Sequence, residues 1–273
     1  MDKAHALRKT PSSRKLVRRL RKLLVPGRET PAKDLCSFEG RMTKLEKAGG
    51  LFLAHETRRW LHVNRSERMD ALDRSGIFPP DRQAFHRARY EFALSHTANA
   101  EVADIACGLG YGCRILKAGG AKTVLGIDAC LEAIGYAQST HPLEGVRFEV
   151  ADAVKTPLSA ASLDVITCFE TIEHIPNTTG LLTEFTRILR PRGTLIISSP
   201  NDWGLTEHHC HTWTPFEFMA EIAAFFEIES LWAQSSGSAI EQDSGRSRGI
   251  RPWNDKTENQ AECLLIVARN PSI

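Results

Sequence analysis

The chain has 273 residues, of which 42% are hydrophobic and 25% charged, and its formal net charge is +2. This length accommodates one large domain with an extension, and the composition is that of a soluble protein. The chain has no run of eighteen apolar residues and no uncharged signal segment, and its seven cysteines form no C-x-x-C pair, so we expect a reduced, cytoplasmic protein without a membrane span.

The first 33 residues form a basic arm. They contain eleven Lys or Arg against Asp2 and Glu29, a net charge of +9, so the remaining residues carry −7. Apolar residues recur at helical spacing within residues 12–25, which predicts a short basic amphipathic helix. Such an arm suits peripheral contact with the anionic inner face of a membrane, or contact with nucleic acid, and a solvated tail is the alternative.

Residues 34–97 predict a helical extension. Charged residues are interspersed with apolar ones, and breaks are expected at Gly49-Gly50 and at residues 76–80. The sequence therefore divides into the basic arm over 1–33, a helical extension over 34–97 and a domain over 98–273.

From residue 100 onward, apolar strands alternate with amphipathic helices. This alternation predicts an α/β fold with a mostly parallel sheet covered by helices on both faces. A helix is predicted over 178–190, ended by Pro191-Arg-Gly193, and another begins at the capping sequence Thr214-Pro-Phe-Glu217. The polar stretch 235–260 predicts a long mobile connection. Strands are predicted near 101–106, 123–128, 146–151, 163–168, 194–199, 227–233 and 262–268.

A glycine-rich turn, Asp104-Ile-Ala-Cys-Gly108-Leu-Gly110-Tyr-Gly112, follows the first predicted strand. Glycines between a strand and a helix let the backbone approach a ligand, which indicates a nucleoside-carrying cofactor at the carboxyl edge of the sheet. Cys113 occupies the position of the last glycine in the dinucleotide fingerprint G-x-G-x-x-G, which disfavours a nicotinamide cofactor. Asp128, at the end of the second strand, suits ribose hydroxyls in either cofactor class.

These residues resemble those of class I S-adenosylmethionine-dependent methyltransferases. Five blocks carry the resemblance in order, over roughly residues 80–270: 104–112, 124–128, 148–153, 163–174 and 188–193. The resemblance implies a Rossmann-like, seven-stranded, mostly parallel sheet with its last strand antiparallel. Within this superfamily the chain is similar to methyltransferases associated with cell-envelope glycans, and His86-Arg-Ala-Arg89-Tyr90 resembles their H-x-x-R-Y helix.

The resemblance also implies the cofactor contacts. Asp104 would support the turn, Gly108 and Gly110 would let the backbone approach the methionine part, and Asp128 would bind the ribose. Asp152 would take the adenine amino group, with Ala153 donating its backbone N–H to the ring. The full implied set is Arg89, Tyr90, Asp104, Ala106, Gly108, Gly110, Gly112, Asp128, Ala129, Asp152, Ala153, Phe169 and Glu170.

After the fourth predicted strand, Glu170-Thr-Ile-Glu173-His174 forms an E-x-x-E-H run. Helical spacing would bring its two carboxylates and His174 together. The run resembles the Mg²⁺-binding element of ubiquinone-pathway O-methyltransferases and small-RNA 2′-O-methyltransferases, which implies a metal held by Glu170, Glu173 and His174. A metal-free general base at His174 and a capping or packing role remain alternatives.

Further along, Glu207-His208-His209-Cys210-His211-Thr-Trp213 follows the fifth predicted strand. Histidines there suit another metal ligand, a general base or a pH-sensitive substrate clamp. We take Glu173, His174 and His209 as the candidate catalytic residues. Trp213 would stack on an acceptor or cover the core.

The expected reaction is methylation of a hydroxyl oxygen on a sugar, glycan or small metabolite. The chain lacks the [DN]-P-P-[FY] and Pro-Cys motifs that follow this strand in enzymes that methylate nucleic-acid amines or cytosine carbon. An RNA 2′-O-methyltransferase is the alternative, although no RNA-binding platform is recognisable. A cofactor-binding scaffold without its own activity is the other.

Overall fold

The computed structural model describes residues 69–74, 77–202, 204–206, 208–235, 249–254 and 261–271. All of them lie in one compact unit, Ala54–Ile273. The predicted basic arm, its amphipathic helix and the break at Gly49-Gly50 lie outside the described residues. Among the described helices, none has the length and apolar character needed to cross a membrane.

Helices and strands alternate along the described chain as the sequence predicts. The helices are α1 (Pro80–Thr97), α2 (Tyr111–Ala118), α3 (Leu131–Thr140), α4 (Thr178–Ile188) and α5 (Pro215–Ala223), with a 3₁₀ turn at Ile172–His174. The strands are β1 (Glu101–Ile105), β2 (Thr123–Asp128), β3 (Val146–Val150), β4 (Leu163–Cys168), β5 (Leu189–Pro200), β6 (Glu227–Gln234), β7 (Ile250–Pro252) and β8 (Cys263–Arg269).

The strands form one sheet in the order β3-β2-β1-β4-β5-β8-β6-β7. Neighbours from β3 to β5 are parallel, whereas β8 runs antiparallel to both β5 and β6. This confirms the Rossmann-like, mostly parallel sheet with an antiparallel last strand. The described residues form eight strands where seven were expected, because the short β7 pairs antiparallel with the outer edge of β6.

Helices cover both faces of the sheet and divide the core into two apolar layers. Along β1, Val102 contributes to the layer under α1, α2 and α3, while Ala103 and Ile105 face the layer under α4 and α5. Phe185 of α4 and Phe218 of α5 are fully buried in the second layer. Burial on both faces explains why the central strands are continuous apolar runs, and it leaves their carboxyl ends aligned along one edge.

Candidate active site

The glycine turn leaves β1 with a left-handed backbone. The φ angles are 59° at Ala106, 54° at Gly108 and 80° at Gly110. An added Cβ at Gly110 would lie 2.5 Å from Cβ of Ala137 and 2.7 Å from the ring of Phe148. Gly110 is therefore required both by its backbone conformation and by the packing of the turn against α3 and β3.

Gly112 is the second residue of α2 and accommodates Tyr90 of α1. An added Cβ there would lie 2.1 Å from the Tyr90 ring, which also packs edge-to-face on Phe169 with centroids 4.9 Å apart. The Tyr90 hydroxyl donates to both carboxylate oxygens of Asp104, at 3.3 and 3.1 Å. The sequence-predicted Tyr90, Asp104, Gly112 and Phe169 thus form one cluster beneath the turn.

Asp104 is buried and has two further donors besides the Tyr90 hydroxyl. The hydroxyl of Thr167 donates to Oδ1 at 2.8 Å, and the thiol of Cys113 lies 3.5 Å from Oδ2. Burial raises the pKa of Asp104 to about 7, although the hydrogen bonds from Thr167, Tyr90 and Cys113 oppose the rise. This carboxyl group supports the turn from below.

Two more acids end the neighbouring strands. Asp128 is buried, and its Oδ2 accepts from the N–H of Gly108 at 2.9 Å while its Oδ1 accepts from the N–H of Cys130 at 2.8 Å. Asp152 is exposed, and its Oδ1 accepts from the N–H of Val154 at 2.9 Å. Ala129 is exposed and Ala153 half-buried beside them, so the residues that follow β2 and β3 are accessible at the carboxyl edge of the sheet.

Arg89, an implied cofactor contact, is buried. Its side chain is 2% exposed, its Nε donates to Oε1 of Gln234 at 2.8 Å, and its Nη2 lies 3.5 Å from Oε2 of Glu170. Gln234 in turn donates to the carbonyl of Phe85 at 2.7 Å, which joins α1 to the end of β6. Sequence reasoning missed Gln234, because a lone glutamine at a strand end carries no motif.

Glu170 is held in a constrained position after β4. Its φ is 49°, its N–H donates to Oγ of Ser198 at 3.1 Å, and that hydroxyl donates back to Oε1 at 2.8 Å. The thiol of Cys263 lies 3.0 Å from the same oxygen. The E-x-x-E-H run is not a regular α-helix here, and Glu170 pairs with Arg89 and Ser198 instead of joining the ligand group that includes the other two acidic and imidazole residues of the run.

A different third residue completes that group. Ligand atoms of Glu173, His174 and His209 lie within 4.8 Å of one another. His174 Nδ1 is 2.7 Å from the carbonyl of His208 and therefore donates to it, which leaves the Nε2 lone pair available. The rings of His174 and His209 are 4.8 Å apart.

Glu173 is the buried member of this cluster. Its side chain is 2% exposed, Oε1 lies 3.7 Å from His174 Nε2, and Oε2 is buried without a hydrogen-bond partner. Burial first, and the neighbouring Glu170 second, raise the pKa of Glu173 to about 9. A buried, unpartnered carboxyl oxygen is costly, and it is resolved either by protonation or by coordination to a cation.

The segment of residues 208–213, here called the histidine loop, brings His209 into place. The N–H groups of Cys210 and His211 both donate to the carbonyl of Glu173, at 2.8 and 3.2 Å. The ring of His211 stacks on Trp213, which is 8% exposed and packs on Phe218 of α5. Of the two predicted roles of Trp213, the structure shows the covering of the core.

Comparisons with known proteins match this architecture. Residues 103–197 match the family model described as a methyltransferase domain. The chain therefore contains a methyltransferase domain over these residues. It is 27% identical over 192 residues to a Mycolicibacterium smegmatis protein named as a probable S-adenosylmethionine-dependent methyltransferase, covering 63% of this chain and 74% of that protein.

Other similar proteins carry a more specific name. A ubiquinone biosynthesis O-methyltransferase of Xanthomonas axonopodis is 28% identical over 189 residues, covering 62% of this chain and 74% of that protein. Among solved structures, an S-adenosylmethionine-dependent methyltransferase of Mesorhizobium loti superposes with a TM-score of 0.54 at 18% identity, covering 68% of this chain and all of that one. At that identity the superposition supports the fold alone.

Proposed function

We propose that this methyltransferase methylates a hydroxyl oxygen on a small metabolite, sugar or glycan. The cluster of Glu173, His174 and His209 carries the proposal, because it places a basic imidazole nitrogen and an unpartnered carboxyl oxygen beside the carboxyl edge of β4. A hydroxyl must lose its proton as it attacks the methyl group, and the His174 imidazole suits that task. The similarity to ubiquinone biosynthesis O-methyltransferases also supports an oxygen acceptor.

The residues along the edge fit S-adenosylmethionine. When bound, this cofactor supplies a methyl group on a sulfonium, an excellent leaving group. We assign the ribose to Asp128 and the adenine amino group to the exposed Asp152. The backbone of Ala106 and Gly108 borders the methionine part, and Ala129 and Ala153 flank the nucleoside.

The remaining sequence-predicted cofactor residues act, in this proposal, by shaping the site. Arg89 holds Glu170, and the aromatic ring of Tyr90 supports the turn from beneath, as does Phe169. Glu170 keeps a side chain that is 25% exposed at the cleft, so it remains a candidate for the cofactor's ammonium group.

The same cluster has the composition of a divalent-cation site. Two imidazoles and one carboxylate favour Mn²⁺, Fe²⁺ or Zn²⁺ over the Mg²⁺ that we expected from the sequence, because Mg²⁺ prefers oxygen ligands. A cation there would lower the pKa of the acceptor hydroxyl as a Lewis acid. In the metal-free alternative, His174 Nε2 takes the hydroxyl proton while the carbonyl of His208 holds the ring in the required tautomer.

Calorimetric titration of metal-stripped protein with MnCl₂ tests the cation site. We expect one binding event that is lost in His209→Ala and in Glu173→Gln. His208→Ala is the matched control: it alters the adjacent histidine but keeps the backbone carbonyl that His174 uses. Absence of binding in the unaltered protein, together with full activity in excess EDTA, would leave His174 as the general base.

The acceptor class is tested with S-adenosylmethionine carrying a tritiated methyl group, incubated with fractionated lysate. Label in small-molecule, lipid or glycan fractions, lost in His174→Ala, supports the proposal. Label in RNA supports the 2′-O-methyltransferase alternative, and no label in any fraction supports the scaffold.

We also propose that the basic arm binds anionic membranes. Deletion of residues 1–33 should then weaken sedimentation with phosphatidylserine vesicles, and unchanged sedimentation would refute this role.

A further inference from the structure

Two cysteine thiols converge beneath the glycine turn. An ideal Cβ built on Gly126 of β2 would lie 2.8 Å from Sγ of Cys113 and 2.9 Å from Sγ of Cys107. Both sulfurs therefore occupy the space above this one glycine. Both sulfurs thus lie within 2.9 Å of one point, and the neighbouring Cys107 thiol is among the causes that raise the pKa of Cys113.

The pair brackets the cofactor turn. Cys107 follows the left-handed Ala106, and its N–H donates to the carbonyl of Ile127 at 2.9 Å, which anchors it to β2. Cys113 is the third residue of α2. A covalent bond between the two sulfurs would close residues 107–113, including all three glycines of the turn, into one small ring.

We propose that Cys107 and Cys113 form a reversible disulfide when the protein meets a peroxide, and that this bond lowers the affinity for S-adenosylmethionine. The pair is a modification site distinct from the catalytic cluster. Its formation requires neither an acceptor nor a bound metal, so it stands independently of the acceptor proposed above.

The reaction balances with hydrogen peroxide as oxidant. The sulfur of Cys107 attacks one peroxide oxygen, which gives a sulfenic acid and releases water. The sulfur of Cys113 then attacks that sulfenic sulfur, the S–O bond breaks, and a second water leaves. Overall, two thiols lose two hydrogens and two electrons, and one peroxide becomes two waters.

The different burial of the two thiols indicates which one reacts with peroxide first. Cys107 is 3% exposed, whereas Cys113 is fully buried, and burial raises its pKa well above the ordinary value. Cys107 is therefore the thiol that meets the oxidant. Cys113 resolves the sulfenic acid. Asp104 takes the thiol proton, because the Cys113 thiol already faces Oδ2 of that carboxylate at 3.5 Å, and passes it to the departing hydroxide, which leaves as the second water.

The bond would alter the turn that carries the cofactor. Sulfur atoms in a disulfide are about 2.05 Å apart, so both side chains must move together. Asp104 then loses the thiol donor, and the first turn of α2, with Gly112 packed on Tyr90, is pulled toward β2. Because Gly112 is packed tightly against Tyr90, it has no free space to move into. Closing the disulfide would therefore also displace the backbone of the glycine turn.

The test uses the full-length protein, reduced with dithiothreitol, freed of it and then exposed to hydrogen peroxide. Trypsin releases the peptide of residues 90–114, bounded by Arg89 and Arg114, which holds both cysteines. We expect this peptide to lose both alkylation sites together and to become lighter by two hydrogen atoms. The Kd for S-adenosylhomocysteine, measured by calorimetry, should rise about tenfold or more and return after dithiothreitol.

Cys107→Ser and Cys113→Ser should each abolish the internal bond and keep their cofactor affinity after peroxide, with Cys113→Ala as a second variant if the serine disturbs folding. Cys210→Ser removes an exposed thiol elsewhere and should keep the response. The proposal is overturned if the 90–114 peptide retains two free thiols under conditions that oxidise Cys210. It is equally overturned if the bond forms and the Kd does not change.

Discussion

Gly112 has no room for a side chain, since an added Cβ would lie 2.1 Å from the Tyr90 ring. We expect Gly112→Ala to destabilise the fold by about 1–3 kcal/mol, as overpacking does in other cores. It should also weaken cofactor binding, because Tyr90 must move away from Asp104. The matched control is Gly135→Ala in α3, where nothing lies within 4 Å and where we expect a gain of up to about 1 kcal/mol. Urea unfolding measures both, and equal effects would contradict the steric argument.

Asp104 makes a pH-dependent contribution to stability. Its pKa is raised from 3.8 to about 7 in the folded protein, so the folded state keeps a proton that the unfolded state releases at lower pH. The contribution is therefore fully present below about pH 4 and is lost as pH rises to about 7, by about 4 kcal/mol at most. Asp104→Asn removes this titration. Its stability relative to the unaltered protein should rise over that window, and parallel stability curves would refute the assignment.

Only part of the cluster of Glu173, His174 and His209 could be predicted from the sequence. Spacing predicted Glu173 and His174 together, and they lie together in the structure because adjacent residues must stay near each other. It also grouped Glu170 with them on the assumption of a helix, whereas the backbone at Glu170 has a positive φ and its side chain bonds to Ser198. The choice of His209 among three nearby histidines depends on hydrogen bonds from the histidine loop to the carbonyl of Glu173, which no local pattern encodes.

At the scale of elements, the capping sequence at the start of α5 stabilises that helix. Thr214 accepts from the N–H of Glu217, and Glu217 accepts from the N–H of Thr214, which is the capping box that the sequence predicts. Thr214→Ala should destabilise the protein by about 1 kcal/mol and lower Tm by about 2–4 °C in calorimetry. Thr214→Ser keeps the hydroxyl and should stay close to the unaltered protein. A similar loss in both variants would point to packing of the threonine methyl group.

The bounds of helices and strands were predictable where neighbouring residues in the sequence determine them. The bounds of β2 and β4 match the prediction, and α4 begins at the predicted residue. The predicted end of α4 was two residues late, because β5 already begins at Leu189, which pairs with Leu163 of β4. The short β7 was missed, since three residues ending in Pro252 form a strand only by pairing with β6.

At the scale of the whole molecule, the alternation of strands and helices predicted the layered sheet, since burial on both faces leaves its mark on every central strand. It did not predict how α1 is fixed to that sheet. Arg89 bonds to Gln234, 145 residues further along the chain, and faces Glu170 after β4. Only the folded chain brings these residues together.

Because Arg89 connects α1 to Gln234 of β6 and to Glu170 after β4, we expect substitutions at these positions to affect stability non-additively. Arg89→Met leaves the carboxylate of Glu170 without its cation and Gln234 without its donor, which should cost about 3–5 kcal/mol. Glu170→Gln removes the negative charge that Arg89 faces. In the double variant neither charge remains, so its loss should fall short of the sum of the single losses by about 0.5–3 kcal/mol in urea unfolding. Additivity within about 0.5 kcal/mol would mean that Arg89 and Glu170 stabilise the fold independently, and that α1 is held mainly by its apolar face.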